Sequence, residues 1–507
     1  MTADFAACEA AVRERMEAPV ERIETHAAVI LLGGDAAFKL KKRVVFSFLD
    51  FRTSQARERA LRNELELNRR TAPELYVEVL PITVSAGRAE LDGSGEIVDW
   101  VLRMHRFPQS ARLDRVARDE GLSAGLAEAL GTEIARFHAR LAPLFDKGGV
   151  VAHREIEAGN EEDLRRSVPA ILDRDEVESF ILRVREAREV MEPLLESRRE
   201  GGFVRQCHGD LHLENIALVN GKPVLFDAIE FNDDFAGIDT IYDLAFLVMD
   251  LLERRQREAA WQLLDAYLGV SFDHQGLALL PFFLATRAAI RAKIEAFAGH
   301  REAAGAYLRF AGFSLDPPPP RLVAVGGLSG TGKTTIARAI APGTGADPGA
   351  VLLRSDVIRK RLMGVAPAVR LGDEAYGGEV TGRVFEALFA MAATLLDAGR
   401  TVILDAVFAR PEQRAAAAAV AREAGVPFTG FWLETSSGQR LERVVRRTGD
   451  ASDADARVVG MQDGYDVGDI DWIRIDTGGS RNESIERVRH HIGVSTKCRH
   501  PSGAAGG

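Results

Sequence analysis

Residues 322–334 read LVAVGGLSGTGKT, an apolar run followed by a glycine-rich loop that ends in Lys-Thr. The loop matches the pattern G-x-x-x-x-G-K-[ST], and the segment TTIARAIA that begins at Thr334 is typical of a helix. Glycines allow successive backbone N–H groups to point at an anion, and the positive end of the following helix adds to that attraction. The stretch therefore predicts a strand, a phosphate-binding loop and a helix.

Both the backbone and the side chains of this loop are expected to bind phosphate. The Lys333 ammonium would reach the outer phosphates of ATP, and the Thr334 hydroxyl would complete the coordination of Mg²⁺. Only nine of the 507 residues are lysine, so a lysine at this position of the pattern is informative. The residues expected to contact ATP here are Gly327, Ser329, Gly330, Thr331, Gly332, Lys333, Thr334 and Thr335.

Further short apolar runs follow the loop, and helical segments separate them. Together with the first, these runs cover residues 322–325, 351–353, 402–404, 428–433 and 472–475. Apolar strands that alternate with helices predict an α/β doubly wound parallel sheet with helices on both faces. The third run is followed by Asp405, which is expected to be an acidic ligand of the same Mg²⁺.

The segment SDVIRK, at residues 355–360, follows the second apolar run. Asp356 and Arg359 are three residues apart, so on a helix they share one face. The carboxylate can accept a proton from an acceptor hydroxyl while the arginine binds an anionic group of the acceptor. The alternative interpretation is an ordinary helix start with an acidic residue and an ion pair.

Arginines recur at helical spacing in SSGQRLERVVRRTGD, at residues 436–450. This pattern predicts a lid helix that places cations over the transferring phosphate. The alternative is a solvated basic face. The arginines concerned are Arg440, Arg443, Arg446 and Arg447, of which the last three are expected to bind ATP.

Residues 321–493 resemble the adenylate-kinase-like P-loop kinases, among them the gluconate kinase, polynucleotide 5′-kinase and zeta-toxin groups. The resemblance rests on GLSGTGKT, SDVIRK and VILDA. It implies that Asp356 is the catalytic general base and that Arg359 binds the acceptor. A nucleic-acid 5′-end kinase stays open as an alternative for this half.

The first half contains HGDLHLEN at residues 208–215, followed by the short run VLFD at 224–227. A phosphotransferase needs a carboxylate to orient the acceptor hydroxyl, and an amide and a second carboxylate to hold Mg²⁺ on ATP. Asp210, Asn215 and Asp227 supply these groups in that order.

HGDLHLEN, FDAIEF and YDLA together resemble the aminoglycoside phosphotransferase and choline kinase superfamily. The resemblance covers residues from about 20 to 313. It implies that Asp210 is the catalytic base, that Asn215 and Asp227 are Mg²⁺ ligands, and that His208 and Asp243 brace the loop. For Asp243, a helix-capping role is the alternative.

The segment FKLK, at residues 38–41, is expected to supply the phosphate-binding lysine of this half. Its alternation points Lys39 and Lys41 the same way from a strand, so either could meet the phosphates. The resemblance favours Lys39 paired with Glu64, and Glu66 is the fallback partner. No glycine-rich phosphate loop is present between the first two predicted strands, where the sequence reads THAA at 25–28.

The order of predicted elements gives two domains. A small β lobe followed by a helical lobe predicts an α+β, protein-kinase-like first domain over residues 1–315. The segment DPPPP, which ends at residue 320, predicts a stiff linker at 316–320. A P-loop domain is expected at 321–493 and a disordered tail at 494–507.

Composition limits the partners. There are 65 Lys and Arg against 75 Asp and Glu, and this net charge of −10 argues against nucleic-acid binding. No signal peptide is evident, and the most apolar stretch, 276–285, is too short to span a bilayer. The three cysteines are widely spaced and fit a reducing compartment, so a cytoplasmic protein with no membrane partner is expected.

The whole chain resembles bacterial bifunctional proteins that join an aminoglycoside phosphotransferase family domain to an AAA-type kinase domain. We therefore predict two kinase-like domains that each transfer the γ-phosphate of ATP, with Mg²⁺, to a hydroxyl of a small molecule such as an amino sugar or sugar. In the alternative, one half is active and the other is a nucleotide-binding regulator. The sequence sets neither the acceptors nor the oligomeric state.

Overall fold

The computed structural model describes residues 4–46, 49–230, 236–366, 369–446 and 452–493. The chain forms two compact units. The first contains the residues up to Glu162 together with Arg188–Arg254, and the second contains Asp163–Ala187 together with the chain from Arg255 onward. The tail expected at 494–507 lies outside the described residues.

An antiparallel sheet forms the small lobe of the first unit. Its strands are β1 (Glu21–Glu24), β2 (Ala28–Gly33), β3 (Ala36–Lys41), β6 (Tyr76–Ser85), β7 (Arg88–Leu91) and β8 (Glu96–His105), and a short hairpin of β4 (Val45–Phe46) and β5 (Leu49–Asp50) follows β3. The strand order is β1-β2-β3-β8-β6-β7. The predicted hairpin turn joins β2 to β3, and Gly34 adopts a φ of +56° there.

Helices pack on this sheet. In α1 (Phe5–Arg13), Cys8 and Val12 are buried in one apolar cluster with Phe38 of β3. In α2 (Ser54–Arg69), Leu61 is buried in a second cluster with Leu102 of β8. Because α2 packs along the sheet, its Glu64 side chain is fully buried.

The rest of the first unit is mainly helical, as predicted. Its helices are α3 (Leu113–Asp119), α4 (Ala124–Arg140) and α7 (Thr240–Glu253), and α5 (Gly149–Arg166) and α6 (Arg174–Glu200) contribute residues to both units. Two short antiparallel pairs complete it: β9 (Val204–Gln206) with β12 (Gly237–Asp239), and β10 (Ile216–Val219) with β11 (Lys222–Leu225). The loop between β9 and β10 carries HGDLHLEN, and Asp227 follows β11. The predicted kinase-like layout of a β lobe and a helical lobe is confirmed.

A parallel sheet forms the centre of the second unit, at all five predicted positions. Its strands are β13 (Leu322–Gly326), β14 (Val351–Arg354), β15 (Val402–Asp405), β16 (Phe428–Glu434) and β17 (Ile473–Asp476). The order is β14-β15-β13-β16-β17, and every pair is parallel. Strand β13 is central, with β14 and β15 on one side of it and β16 and β17 on the other. The loop after β13 therefore lies at the switch point, where doubly wound sheets bind ligands.

Ten α-helices lie wholly within the described part of the second unit, and the first three of them precede the proline segment. They are α8 (Arg257–Ser271), α9 (Leu280–Phe297), α10 (Arg301–Ser314), α11 (Lys333–Ile340), α12 (Ser355–Leu362), α13 (Gly378–Asp397), α14 (Pro411–Glu423), α15 (Ser437–Arg446), α16 (Ala456–Gln462) and α17 (Arg481–Ile492). Trp261 of α8 is buried in the same apolar core as Val323 and Ile403, and its Nε1 donates to Ala350 O at 2.8 Å. The compact units therefore divide the chain differently from the limits predicted at the proline segment, which stay a prediction.

Within the described ranges of the chain, no helix combines the length and the apolar character that a membrane crossing needs.

Candidate active sites

The small lobe holds a buried ion-pair cluster at β3. The Lys39 ammonium donates to Glu64 Oε1 at 2.7 Å and to Asp227 Oδ1 at 2.6 Å. The Glu64 side chain is fully buried, whereas the Asp227 side chain is 41% exposed. Of the two candidate partners on α2, Glu64 is the one that contacts Lys39. One cation thus joins the sheet, the helix and the segment after β11.

Burial and charge oppose each other in this cluster. Burial acts to lower the pKa of Lys39, but the carboxylates of Asp227 and Glu64 outweigh it and hold that pKa well above its usual value. Burial acts to raise the pKa of Asp227, but the Lys39 ammonium outweighs it and that pKa is lowered. Both groups are therefore charged at neutral pH, as phosphate and metal binding require.

The backbone at Asp227 is fixed in a left-handed conformation, with a φ of +61°. Its N–H donates to the Tyr76 hydroxyl at 3.0 Å, and the next N–H, of Ala228, donates to Asn68 Oδ1 at 2.9 Å. Asp is one of the few residues that adopt this conformation at low cost. These contacts aim the Asp227 carboxylate at Lys39.

The HGDLHLEN loop places an accessible carboxylate among ordered partners. Asp210 Oδ2 accepts a hydrogen bond from Asn215 Nδ2 at 2.9 Å and lies 3.2 Å from His212 Nε2. The Asp210 side chain is 39% exposed. Burial acts to lower the pKa of His212, but the Asp210 carboxylate outweighs it and raises that pKa. A carboxylate that is held in place and yet reachable suits a general base.

Asp243 orders the backbone of this loop. Its carboxylate accepts the N–H of Gly209 at 2.8 Å and that of His208 at 3.2 Å. The His208 ring is buried, and its Nε2 lies 3.0 Å from Phe226 O, just before Asp227. The N-cap of α7 is Asp239, whose side chain accepts from Ile241 N. These contacts fit the predicted loop-bracing role of Asp243, and the N-cap position of α7 is occupied by Asp239 rather than by Asp243.

The oxygen donors at this site suit Mg²⁺. Asn215 uses its Nδ2 to bind Asp210, so its amide oxygen is the atom left for a metal. Asp210 acts to raise the pKa of Asp227, which means that the two carboxylates repel each other. Mg²⁺ prefers hard oxygen ligands, and a divalent cation would relieve this repulsion. Asn215 and Asp227 thus fit the predicted metal site.

The glycine-rich loop of the second unit is closely covered. Gly330 has a φ of +86°, and a Cβ there would lie 2.6 Å from Arg440 O. The N–H of Ser329 donates to Gln462 Oε1 at 2.7 Å, and the buried Thr331 hydroxyl donates to Leu328 O at 2.8 Å. The loop thus keeps the tight conformation that turns backbone N–H groups inward.

The side chains that follow this loop form a second oxygen-rich site. The Thr334 hydroxyl, at the start of α11, donates to Asp405 Oδ2 at the end of β15 at 2.5 Å. Lys333 Nζ donates to Leu328 O at 3.2 Å, and Thr335 follows on α11. Burial raises the pKa of Asp405. A hydroxyl beside a buried carboxylate is a donor pair that Mg²⁺ accepts, so both predicted ligands fit.

Asp356 and Arg359 both lie on α12, at the end of β14. Arg359 is buried, its Nη1 donates to Ala375 O at 2.6 Å, and its guanidinium carbon lies 4.8 Å from the Tyr376 ring centre. Among the described residues, the buried Nε of Arg359 has no hydrogen-bond partner. Burial lowers the pKa of Arg359, while Asp356 acts to raise it. Asp356 and Arg359 therefore lie together on one helix as predicted, and the Arg359 Nε can donate a further hydrogen bond.

The arginines of the predicted lid helix are placed differently from one another. Arg440 is buried in an ion pair with Asp463, and Arg443 Nη2 donates to Thr477 O at 2.6 Å. Arg446 is 79% exposed and pairs with Glu442 one turn away. Arg447 lies outside the described residues. Arg440 ties α15 to the end of α16, Arg443 ties it to the segment after β17, and Arg446 lies on a solvated face.

Several site residues were missed by sequence reasoning. They are Tyr76, whose hydroxyl accepts from Asp227 N–H, His212 beside Asp210, Gln462 of α16, which accepts from the phosphate loop, and Tyr376, whose ring lies against Arg359. His212 stood within the quoted octet and could have been named. The others reach the site from distant segments, so no local pattern marks them.

Comparison with known proteins agrees with this geometry. Residues 38–280 match the phosphotransferase enzyme family, and residues 322–465 match a family described as an AAA domain. Uncharacterized protein Rv2004c of Mycobacterium tuberculosis strain H37Rv is 34% identical over 487 residues, which are 92% of this chain and 94% of that protein. The chain belongs to this family, which joins a phosphotransferase domain to an AAA-type P-loop domain. The predicted resemblance is confirmed, and the protein is a kinase-type phosphotransferase.

Solved structures are similar to parts of this chain. A choline/ethanolamine kinase family protein from Mesorhizobium loti has a TM-score of 0.41 and 15% identity, covering 63% of this chain and 96% of its own. A sugar kinase from Janibacter sp. HTCC2649 has a TM-score of 0.27 and 21% identity, covering 35% of this chain and 96% of its own.

Proposed function

We propose that the protein transfers the γ-phosphate of ATP to hydroxyl groups of small molecules at two separate sites, one in each unit. The observation that carries this proposal is the accessible Asp210 carboxylate, ordered by Asn215 and His212 in the unit that also presents a charged Lys39. The second unit supplies a phosphate loop and a carboxylate–arginine pair on α12. Each set contains a base, a phosphate-binding cation and oxygen donors for Mg²⁺.

At the first site, Asp210 orients the acceptor hydroxyl and takes its proton. The acceptor oxygen forms a bond to the γ-phosphorus as the bond from that phosphorus to the β–γ bridging oxygen breaks, and ADP leaves. Lys39 binds the outer phosphates and Glu64 holds Lys39 in place. Mg²⁺ held by Asn215 and Asp227 would neutralise negative charge on the phosphates.

At the second site, Lys333 and the backbone of the phosphate loop bind ATP, and Asp356 takes the proton of the acceptor. Thr334 and Asp405 are the residues that would hold Mg²⁺. Arg359 is a buried cation that makes no ion pair among the described residues. Because a buried charge needs a counter-charge, the acceptor here is a small molecule with its own anionic group.

This small acceptor is favoured over a nucleic-acid end. Arg359 is 6% exposed as a residue and its guanidinium lies against the Tyr376 ring, so a compact anion fits this site. A strand of nucleic acid would need an open basic surface.

The test is transfer of labelled γ-phosphate from ATP into a fractionated small-metabolite extract. Wild type, Asp210→Ala and Lys333→Ala are compared, and each variant is expected to lose a different labelled product. Loss of every product in one folded variant would contradict two separate sites. Absence of any labelled small molecule with wild type would contradict the proposed acceptors, and labelled oligonucleotide ends would support the 5′-end kinase instead.

A further inference from the structure

Strand β3 buries a second lysine next to the first. Lys41 is 3% exposed, and its ammonium lies 2.7 Å from Glu64 Oε2 and 2.5 Å from Glu230 Oε1. Glu64 therefore carries one lysine on each carboxylate oxygen, Lys39 on Oε1 and Lys41 on Oε2. The mechanism above gives Lys41 and Glu230 no task.

The charges form an alternating row of carboxylates and ammonium groups. The row runs Asp227, Lys39, Glu64, Lys41, Glu230. Burial acts to lower the pKa of Lys41, but the two glutamates outweigh it and raise that pKa, so it stays charged. If the Asp227 carboxylate turns to a metal ion, two lysines and two glutamates remain and balance each other.

We propose that Lys41 is a positioning residue that sets Lys39 for phosphate binding, an inference that rests on the function proposed for the first unit. The Lys41 ammonium forms an ion pair with Glu64 Oε2, although that oxygen accepts no hydrogen bond from the described residues, and Lys39 donates to Oε1 and to Asp227 instead. Without Lys41, Lys39 would be the remaining cation beside the buried Glu64 carboxylate and would be drawn toward it, because a buried negative charge needs a counter-charge.

Lys41 also fixes the segment that carries Asp227. Its partner Glu230 is three residues further along, and the backbone carbonyl of Glu230 accepts from Asn63 on α2. The segment is thus tied to both the sheet and the helix that support Lys39. The buried Lys41 ammonium therefore supports both Lys39, which would bind the phosphates, and Asp227, which would bind their metal.

The geometry of the β1–β2 connection makes this support more important. The connection consists of residues 25–27 only and contains no glycine. So short a turn cannot wrap backbone N–H groups around a triphosphate in the manner of a glycine-rich loop. Binding of the phosphates in this unit therefore depends on how Lys39 is presented.

The experiment measures binding of ATP with Mg²⁺ to the full chain carrying Lys333→Ala, which removes the P-loop lysine. In that background Lys41→Met is expected to weaken ATP binding about tenfold, the size typical of losing a group that orients a ligating residue. Lys41→Arg keeps the charge and should restore most of it. Lys42→Met, which removes the partly exposed lysine paired with Glu24, is the matched control and should change nothing.

Two further readouts separate positioning from simple structural damage. Adenosine, which lacks phosphates, should bind with equal affinity to the Lys333→Ala chain with and without Lys41→Met. Adding Lys41→Met to Lys39→Met should cause no further loss, because Lys41 acts through Lys39.

ATP binding that falls with Lys39→Met but not with Lys41→Met would overturn this inference alone. Fully additive losses would overturn it too, since Lys41 would then bind phosphate directly. ATP binding that is absent from the Lys333→Ala parent, or insensitive to Lys39→Met, would overturn the function proposed for the first unit together with this inference.

Discussion

Lys39 and Glu64 are joined by a 2.7 Å ion pair that connects strand β3 to helix α2, and the same lysine reaches Asp227 at 2.6 Å. The two partners of Lys39, Glu64 and Asp227, lie on segments far apart in the sequence. Charge-assisted contacts of this kind hold the Lys39 ammonium in place. A phosphate can then replace one of its two carboxylate partners. The pair therefore links the fold of the small lobe to nucleotide binding.

Glu64→Gln should weaken ATP binding by the first unit about 10- to 100-fold, because a hydrogen bond between charged groups contributes about 1.5–3 kcal/mol. The measurement is ATP affinity in the Lys333→Ala background. Glu66→Gln is the matched control, since Glu66 is exposed two positions along the same helix. Equal losses in both variants would show that Glu64 has no special role.

Asp210→Asn should lower kcat of the first site about 10²- to 10⁴-fold, the usual contribution of a general base, while KM for ATP changes little. Asn keeps the shape of the side chain but cannot take the proton. Steady-state kinetics with the acceptor found by labelling gives both values. Glu214→Gln, at a half-buried position of the same loop whose side chain is 42% exposed, should retain activity. A fall confined to KM for ATP would contradict the role of Asp210 as a base.

Trp261→Ala should destabilise the second unit by about 3–5 kcal/mol, because it removes a buried aromatic side chain and leaves a cavity. It also removes the hydrogen bond from Trp261 Nε1 to Ala350 O. Denaturant unfolding of the full chain measures the change. Phe297→Ala, at a position that is 60% exposed on α9, should change the free energy of unfolding by less than about 0.5 kcal/mol. Similar small effects of both substitutions would refute the packing of α8 in the core of the P-loop unit.

Asp453→Asn should destabilise the second unit in a pH-dependent way. Asp453 binds Lys360 at 3.0 Å and accepts the Tyr376 hydroxyl at 2.7 Å. Burial acts to raise the pKa of Asp453, but these hydrogen bonds outweigh it and lower that pKa. The carboxylate therefore contributes stability above its unfolded pKa of about 3.9, and this is lost as the pH falls through the lower folded value.

The expected loss in Asp453→Asn is about 1–3 kcal/mol at pH 7, since Lys360 loses its charged partner. The difference in unfolding free energy between wild type and variant should stay constant from pH 7 to about 5 and shrink below about pH 4. Asp469→Asn, at an exposed position, is the control. A difference that stays constant or grows in acid would contradict the assignment.

Much of the fold follows from local sequence. Five apolar runs predicted the five parallel strands, because each buried strand is marked by its own residues. The strand, loop and helix around Lys333 followed from one motif for the same reason. The place of α8 did not, since Trp261 meets Ala350 across 89 residues and the intervening proline segment suggested a boundary.

The candidate sites were predictable to the extent that they lie in compact motifs. Asp210, Asn215 and Asp227 were found because the loop and the following strand bring them together. The alternation of FKLK could not separate Lys39 from Lys41, because the choice depends on Asp227 and Glu230, which come from the other lobe. Spacing on α15 likewise could not show that Arg440 pairs with Asp463.

The most direct test of two separate kinase sites is the number of ATP molecules, with Mg²⁺, that one chain binds. Equilibrium titration over the ATP range that saturates wild type should give two sites for wild type, one for Lys39→Met and one for Lys333→Ala. The double variant should show none in that range, and its residual affinity should appear only at higher ATP concentrations. A single site in wild type, or loss of both sites in either single variant that remains folded, would contradict the account.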